Sequence, residues 1–503
     1  MKTLKLIIPL LLFCVLISNK TYTQNTYTVS FENNYVQNVS DFIITDQNRI
    51  IAVGSETQTR PYTKGKIWAF TNQNDTLTRT YQFGDTICSF GSIIEDSYNE
   101  DSYNRYIVSG YAYLPPDYEY ESCITLLLVI DSDLNIIDKK FITPEDYNNF
   151  TSSRLYKFND VYYSFGHAKV PDSVYYSLSI PHNVKYDKNL NVIKMKEYED
   201  IKKTWLDFQD CIFSKDSTQI YAFTWGYYSN TPSITIYDTN LNFIRYKEFP
   251  MVFNPQTVQT ELHYEGFINT KWISDSTFIV GALHGQTDFI QGSHINSLGF
   301  SELDTTLPVT QVTYLGNPDT INYPGYNNSF DFRNSDSIFF VGTHDIFNRD
   351  VSWIMTGRLN RDLEIEEIYY YGGDKHYKAK GVRCTNDGGY VISANYESVN
   401  TPGRNVMFMK LDNKCKFTSN NQEAFCPPSL FTVSPNPSDG NFKIHLAPQK
   451  AFLKLYNMQG QMVYSADLTQ GINTINLDKV NKGVYLCRVE TKHQSDVKKI
   501  IIK

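Results

Sequence analysis

The chain has 503 residues, too many for one small core and enough for two or three domains. Aromatic residues make up 15% of it, with 38 Tyr against 5 Trp, and this Tyr-rich, Gly-punctuated texture favours β structure, whose pleated surface accommodates half-buried rings. The formal net charge is −8, yet residues 430–503 hold ten Lys/Arg against five Asp/Glu and residues 1–23 hold three Lys, which leaves −16 on the stretch between. An acidic body argues against a nucleic-acid partner, which needs clustered Lys/Arg, and is explained by solubility.

In chain order the first element is MKTLKLIIPLLLFCVLISNKTYTQ. A basic start (Lys2, Lys5) precedes an apolar run from Leu6 to Ile17 that is short for a bilayer span and reads as a secretory signal, residues 1–23. Thr21-Tyr22-Thr23 offers a small-x-small cleavage site, leaving Gln24 first. Phe13 stands where a lipoprotein would need a small residue ahead of Cys14. No later segment is long and apolar enough to anchor in a membrane, so the mature protein is expected to be exported and soluble.

A repeat follows. The segments RIIAVGS, RYIVSGY, VYYSFGH, QIYAFTW, TFIVGAL, IFFVGTH and GYVISAN align on Gly54, Gly110, Gly166, Thr224, Gly281, Gly342 and Ala394. The spacings are 56, 56, 58, 57, 61 and 52 residues. A polar turn (SKDS, SDS, NSDS, NDGG) precedes most anchors, and a variable loop and a third apolar strand follow. That strand ends in a turn carrying a Leu, as in DSDLN, DKNLN and DTNLN, and a fourth strand comes next. Four short antiparallel strands per unit, seven times over, predict an all-β fold: a seven-bladed β-propeller over residues 24–418. The last repeat lacks a fourth strand after VMFMKLDNKCKF, and TYTVSFEN (26–33) is an orphan ahead of the first. Pairing Tyr27–Phe31 with residues 406–411 would complete the last blade and remove two exposed edges.

The loops between second and third strands share one face of such a propeller. They carry Tyr113, Tyr118, Tyr120, Tyr175, Tyr176, Trp225, Tyr227, Tyr228, Phe289 and Phe347. Aromatic side chains with polar tips on a rigid scaffold suit a glycan or peptide ligand; packing on one another to order the loops is the alternative. Asp117, Glu119, Glu121, Asp172, Asp288, Asp345 and Asp350 could pair for glycoside hydrolysis, although scattered acids are expected in an acidic protein. His167, His284, His294 and His344 share no register and form no HExxH. The Asp/Asn turns lack the bidentate Glu of a calcium loop and read as hairpin turns. No GxSxG elbow or phosphate loop is present. No catalytic residue, metal or cofactor is assigned.

Seven Cys remain outside the signal. Cys415 and Cys426, close in sequence across the domain end, are the disulfide candidates; Cys88, Cys211 and Cys384 lie in apolar runs and read as small hydrophobes. After a linker (419–430), FTVSPNPSDGNF opens a different pattern. Pro435-Asn436-Pro437 interrupts any strand, and NFKIHLA, FLKLYNMQGQMVYS, GINTINLDKVNKGVYLCRVE and VKKIIIK suit a small β-sandwich over residues 431–503.

Phe431, Val433, Pro435, Asn436 and Pro437, then Tyr456-Asn457 with Gly460, Gly483-Val484-Tyr485 and the terminal Lys498-Lys499-Ile500-Ile501-Ile502-Lys503 carry a resemblance. Residues 431–503 resemble the type A C-terminal sorting domain of the type IX secretion system of Gram-negative bacteria. The resemblance implies an Ig-like domain that takes its cargo across the outer membrane to the cell surface or the medium, with the secretion machinery as partner. Cys487 departs from a purely apolar strand. Within the repeats, Thr385 to Tyr390 (TNDGGY) resembles the T-x-DGGY units of secreted bacterial propellers. Thr385, Asp387 and Gly389 resemble the Asp-box of sialidases only loosely, because its aromatic residue is missing. The expectation is therefore an exported, noncatalytic binding or scaffolding propeller. A surface glycan hydrolase or lyase using the loop-rich face, and a purely structural envelope component, are the alternatives.

Overall fold

The computed structural model describes residues 26–59, 62–72, 75–96, 104–113, 123–142, 150–169, 179–198, 206–226, 232–248, 264–288, 293–307, 309–315, 322–347, 351–398, 401–417, 431–477, 480–490 and 495–503. Among these the elements are all strands, with no helix. Val36–Ile44, Ile50–Thr59, Tyr62–Asn72 and Asp75–Tyr81 pair in chain order as an antiparallel meander. The same arrangement recurs in four-stranded sheets spanning 87–142, 150–197, 206–248 and 264–315. In the sixth meander the first strand is split into Asn322–Pro324 and Phe330–Asp331, and Ile338–His344, Trp353–Leu359 and Ile365–Gly372 follow.

The last repeat supplies His376–Cys384, Tyr390–Ser398 and Thr401–Leu411. Its fourth strand is Tyr27–Phe31, antiparallel, with Tyr27 opposite Lys410 and Phe31 opposite Val406. A parallel contact of Val36 with Arg404 joins this group to the first meander, so eight strands share one sheet. Phe31 packs its ring against Phe70 and Phe408, which ties the two groups through their cores as well.

Third strands are covered on both faces: Cys123–Ile130 is buried at every position, as a continuous apolar run requires. Fourth strands face outward, as Ile136–Ile142 does. The apolar clusters bridge successive meanders; one unites Ile51, Val53 and Ile67 with Phe90, Val108 and Leu126.

The turns between third and fourth strands act as latches. In DSDLN the Asp131 carboxylate accepts the Asn135 backbone and side-chain N–H groups, at 2.7 and 2.9 Å. Leu134 is thereby held at φ 63° with its side chain fully buried. Leu190, Leu241, Leu307 and Leu363 repeat both features, and Cys415 does so in the last unit. A left-handed backbone disfavours a branched side chain, so burial of the Leu must offset that strain. The fourth strand of the preceding meander caps each latch: Tyr81 Oη donates to the Leu134 carbonyl, Tyr198 Oη to that of Leu241 and Tyr371 Oη to that of Cys415.

Residues 431–503 form a separate five-stranded sheet of Phe431–Ser434, Asn441–Asn457, Met462–Asn476, Gly483–Glu490 and Ser495–Ile502. The long strand Asn441–Asn457 pairs with Phe431–Ser434 along its first half and with Gly483–Glu490 along its second, with a register break between Leu446 and Lys450. Both halves contribute to one core containing Phe431, Ile444, Leu455, Cys487 and Ile500.

Candidate functional site

Six of the seven first strands carry a β-bulge at an equivalent place, with Ser40, Gly91, Ser153, Gln209, Ile268 and Lys380 as the extra residues; the sixth is split instead. Opposite or beside each bulge stands the repeat anchor, paired as Gly54 with Val39, Gly110 with Phe90, Gly166 with Ser152, Thr224 with Phe208, Gly281 with Asn269 and Ala394 with Ala379. The bulge drives a backbone carbonyl toward that partner. A Cβ on Gly54 would lie 1.9 Å from the Asn38 oxygen, and one on Gly110 would lie 2.1 Å from that of Ser89. Gly54 and Gly110 are therefore glycines for a local steric reason, and at Gly281 a Cβ would instead meet the Ser329 hydroxyl at 2.1 Å.

Bulges re-aim side chains, and here the re-aimed groups tie each first strand to the next. Asp41 Oδ2 accepts the Ile93 N–H (3.3 Å), Ser92 Oγ that of Leu155 (3.1 Å) and Asp210 Oδ2 that of Thr270 (2.6 Å). Asn269 Oδ1 accepts the Ser329 N–H (2.8 Å), and Asp331 Oδ2 that of Cys384 (2.8 Å). Tyr156 Oη donates to Asp210 at 2.9 Å, with Arg154 3.7 Å from the same oxygen. Arg383 donates to the Phe42 carbonyl and to Asp41, both at 3.2 Å, which links the last repeat to the first.

Other bonds cross farther. Arg154 of the third meander donates to the Asn327 carbonyl of the sixth at 2.5 Å, and Asn327 donates to the Ser40 carbonyl of the first. Groups from the first, third and sixth repeats thus meet. Burial raises the pKa of Asp210, opposed by Arg154 and by the N–H and O–H groups it accepts. Asp41 and Asp210 are both spent on ties. Lys380 differs: its Nζ lies 4.8 Å from the centre of the Tyr326 ring, and burial, then Arg404 and Lys378, bring its pKa down to about 8. Tyr326 is 49% exposed and stacks on Tyr323 at 5.5 Å. Sequence reading missed this meeting point. Its signal was a charged or polar residue recurring at one repeat position of the first strands: Asp41, Ser92, Arg154, Asp210 and Asn269.

Of the aromatic residues expected on the loop-rich face, Phe347 is 65% exposed. Tyr113 ends the strand Arg105–Tyr113, half-buried, with its ring 5.5 Å from that of Tyr111. Trp225 lies in the strand Gln219–Gly226, its backbone paired with Asp207. Tyr118, Tyr120, Tyr175, Tyr176, Tyr227, Tyr228 and Phe289 lie outside the described residues, as do Asp117, Glu119, Glu121, Asp172 and Asp350. His167, His284, His294 and His344 occupy three different sheets. His344 Nδ1 sits 2.7 Å from Asn322 Oδ1, and burial lowers its pKa to about 4. Among the described residues no three His, Cys, Asp or Glu side chains group as a metal site. Cys415 is fully buried in the core of the last unit, and Cys426 lies outside the described residues.

The C-terminal motif residues come together. Asn436 Nδ2 donates to the Lys499 carbonyl (2.8 Å), and Asn436 Oδ1 accepts the Ile501 N–H (3.0 Å), so the side chain between Pro435 and Pro437 clamps the terminal strand. Ser438 adds two backbone bonds, to Ile501 and Lys503. Lys498 Nζ covers the Phe431 ring at 5.6 Å. Gly483 opens the strand beside the terminal one, and Tyr485 on it is buried, its hydroxyl donating to the Asn481 carbonyl.

The class this defines is an all-β repeat protein bearing a small β domain whose opening motif holds its last strand. Residues 432–503 match the family described as the secretion system C-terminal sorting domain. The chain thus carries a type IX sorting domain and is exported to the cell surface or extracellular space. No curated protein matches the sequence. Similar solved structures include the polysaccharide lyase Uly1, at 8% identity over 80% of this chain and 94% of that one (TM-score 0.45). Puromycin hydrolase is 10% identical over 83% and 59% of the two chains (TM-score 0.45). PorZ, a surface component of the type IX secretion system of Porphyromonas gingivalis, is 9% identical over 93% and 82% (TM-score 0.19). No helix among the described residues is long and apolar enough to cross a membrane.

Proposed function

We propose that residues 24–418 form a seven-bladed β-propeller whose last blade is completed by Tyr27–Phe31, and that it is a noncatalytic binding or scaffolding module. On this reading the type IX machinery delivers it through an Ig-like sorting domain at 431–503. The supporting observation for closure is the chain of ties around the axis, which runs from each first strand to the next and returns from Arg383 to Asp41. The supporting observation for a noncatalytic role is that the axial carboxylates Asp41 and Asp210 already accept backbone N–H groups and arginines. A general acid or base needs a carboxyl free to exchange a proton with substrate.

Ligand contact then falls to the exposed aromatics, Phe347 and Tyr326 among the described residues. Glycan-array and pull-down measurements on the full chain test the reading, with specific retention of a glycan or surface protein expected. Release of products from a panel of polysaccharides would replace it with the hydrolase or lyase reading. Absence of any ligand would leave a structural envelope component.

A further inference from the structure

The segment between the split halves of the sixth meander's first strand is fastened to the strand His376–Cys384. Tyr326 N–H donates to the Ala379 carbonyl at 3.4 Å, and the N–H groups of Asn327 and Asn328 donate to that of Lys380 at 2.8 and 3.3 Å. A parallel bridge joins Asn328 to Gly381. Tyr326 and Lys380 are thus held as a fixed pair on rigid backbone, where the bulge at Lys380 aims it at the axis.

The charges around them are unequal. Arg383 is matched by Asp41, Arg154 by Asp210 and Arg404 by Glu397. Among the described residues no carboxylate lies within ion-pair distance of Lys380 or Lys378, and Lys380 meets only the face of Tyr326. A half-buried cation without a counter-charge costs solvation that an incoming anion would restore. Beside it, Tyr326 stacks on Tyr323 and has about half of its surface exposed, an apolar ring with a polar tip. Tyr323 pairs with Thr343, at the end of the strand Ile338–His344 that residues 345–347 follow.

We propose that the axis of the repeat domain binds an acidic sugar, a pyranose bearing a carboxylate, with the ring on Tyr326 and the carboxylate on Lys380. The inference rests on the binding-module reading and specifies its ligand class. An aromatic platform serves the C–H face of a sugar ring, whereas an acidic peptide would use the lysine and leave the tyrosine idle.

The test is calorimetric titration of the full chain with a galacturonic acid tetrasaccharide, its methyl ester and a tetraglutamate peptide, using the wild type, Lys380→Met, Lys380→Arg and Tyr326→Ala. Circular dichroism and melting confirm that each variant folds. The tetrasaccharide should bind. Lys380→Met should weaken it by about tenfold or more while leaving the methyl ester unaffected, and Lys380→Arg should restore most of the loss. Tyr326→Ala should weaken acid and ester alike. Binding of the tetrasaccharide that ignores both Lys380→Met and Tyr326→Ala overturns the proposal, as does a preference for the peptide that Tyr326→Ala does not alter. If the array finds neutral glycans or proteins bound but no acidic sugar, the inference fails and the binding module stands. If nothing binds, both fail.

Discussion

Asp96 offers the sharpest test of how neighbouring repeats are held together. It ends the strand Ile87–Asp96 and is fully buried. Its Oδ1 accepts Lys157 Nζ (2.7 Å) and Tyr162 Oη (2.6 Å) from the next meander, and its Oδ2 accepts Arg105 Nε from its own. Burial alone would raise its pKa, but these three hydrogen bonds overcome that and hold it below the usual carboxylate value. Asp96→Ala leaves two cations and a buried phenol without their acceptor. Removing one partner of a buried ion pair costs about 3–5 kcal/mol. Arg105 and Lys157 are 28% and 29% exposed and can turn to water, so the lower end, about 3 kcal/mol, is expected. Asp96→Asn keeps one acceptor oxygen and should cost less. Urea unfolding of the full chain, followed by intrinsic fluorescence, measures both. Because the folded pKa is depressed, the contribution is present above the unfolded value of about 3.9 and is lost as pH falls through the folded one. Wild type and Asp96→Ala should therefore converge in stability below about pH 4. A loss under about 0.5 kcal/mol, or strict additivity with Tyr162→Phe, would refute the tie.

Three further outcomes follow from other parts of the fold. Gly110→Ala places a Cβ against the Ser89 carbonyl and should cost about 1–3 kcal/mol in the same urea assay, whereas Gly84→Ala, where nothing lies within 4 Å, should show only the smaller strain of its positive φ. His182 is fully buried, and burial lowers its pKa to about 4; the unfolded chain therefore binds the proton first, so stability should fall by up to about 3 kcal/mol between pH 6.5 and 4. Glu197 Oε1, 3.7 Å from His182 Nδ1, would recover part of that, and a flatter urea-midpoint profile for His182→Leu is the check. Deleting Lys498–Lys503 removes the buried Ile500 and Ile502 and should retain the protein in the periplasm on cell fractionation; normal surface display of the truncation would count against the sorting role.

The repeat spacing was legible because one steric requirement recurs. Gly54, Gly110, Gly166 and Ala394 are small opposite the residue before a bulge, and Thr224 stands in the same register with a larger side chain. The Asp/Asn turns were legible too, as hairpin turns. Their latch function was not, since nothing in DKNLN announces that Lys140 caps its Asn189 carbonyl, nor anything in DTNLN that Tyr198 caps that of Leu241. The axis was hidden for a related reason. Asp41, Arg154 and Arg383 look like isolated surface charges in sequence, because the contacts that give them meaning run between repeats. Tyr326 lies where the sixth repeat departs from its own pattern, in the gap between the split halves of its first strand, and periodicity marks only what repeats.

The Pro-Asn-Pro motif and the terminal lysine-isoleucine strand read as two separate signatures some sixty residues apart; the structure makes them one device. Asn436 satisfies two backbone groups of the terminal strand with a single amide, and the prolines on either side have no N–H to compete for them. Ser438 continues the same clamp with its backbone, and the bonds it shares with Ile501 and Lys503 extend it to the last residue. The terminal strand in turn covers Phe431 through Lys498 and fills the core through Ile500 and Ile502. Neither end of the domain is satisfied without the other. The opening motif, the terminal strand and the core are thus held by one set of contacts.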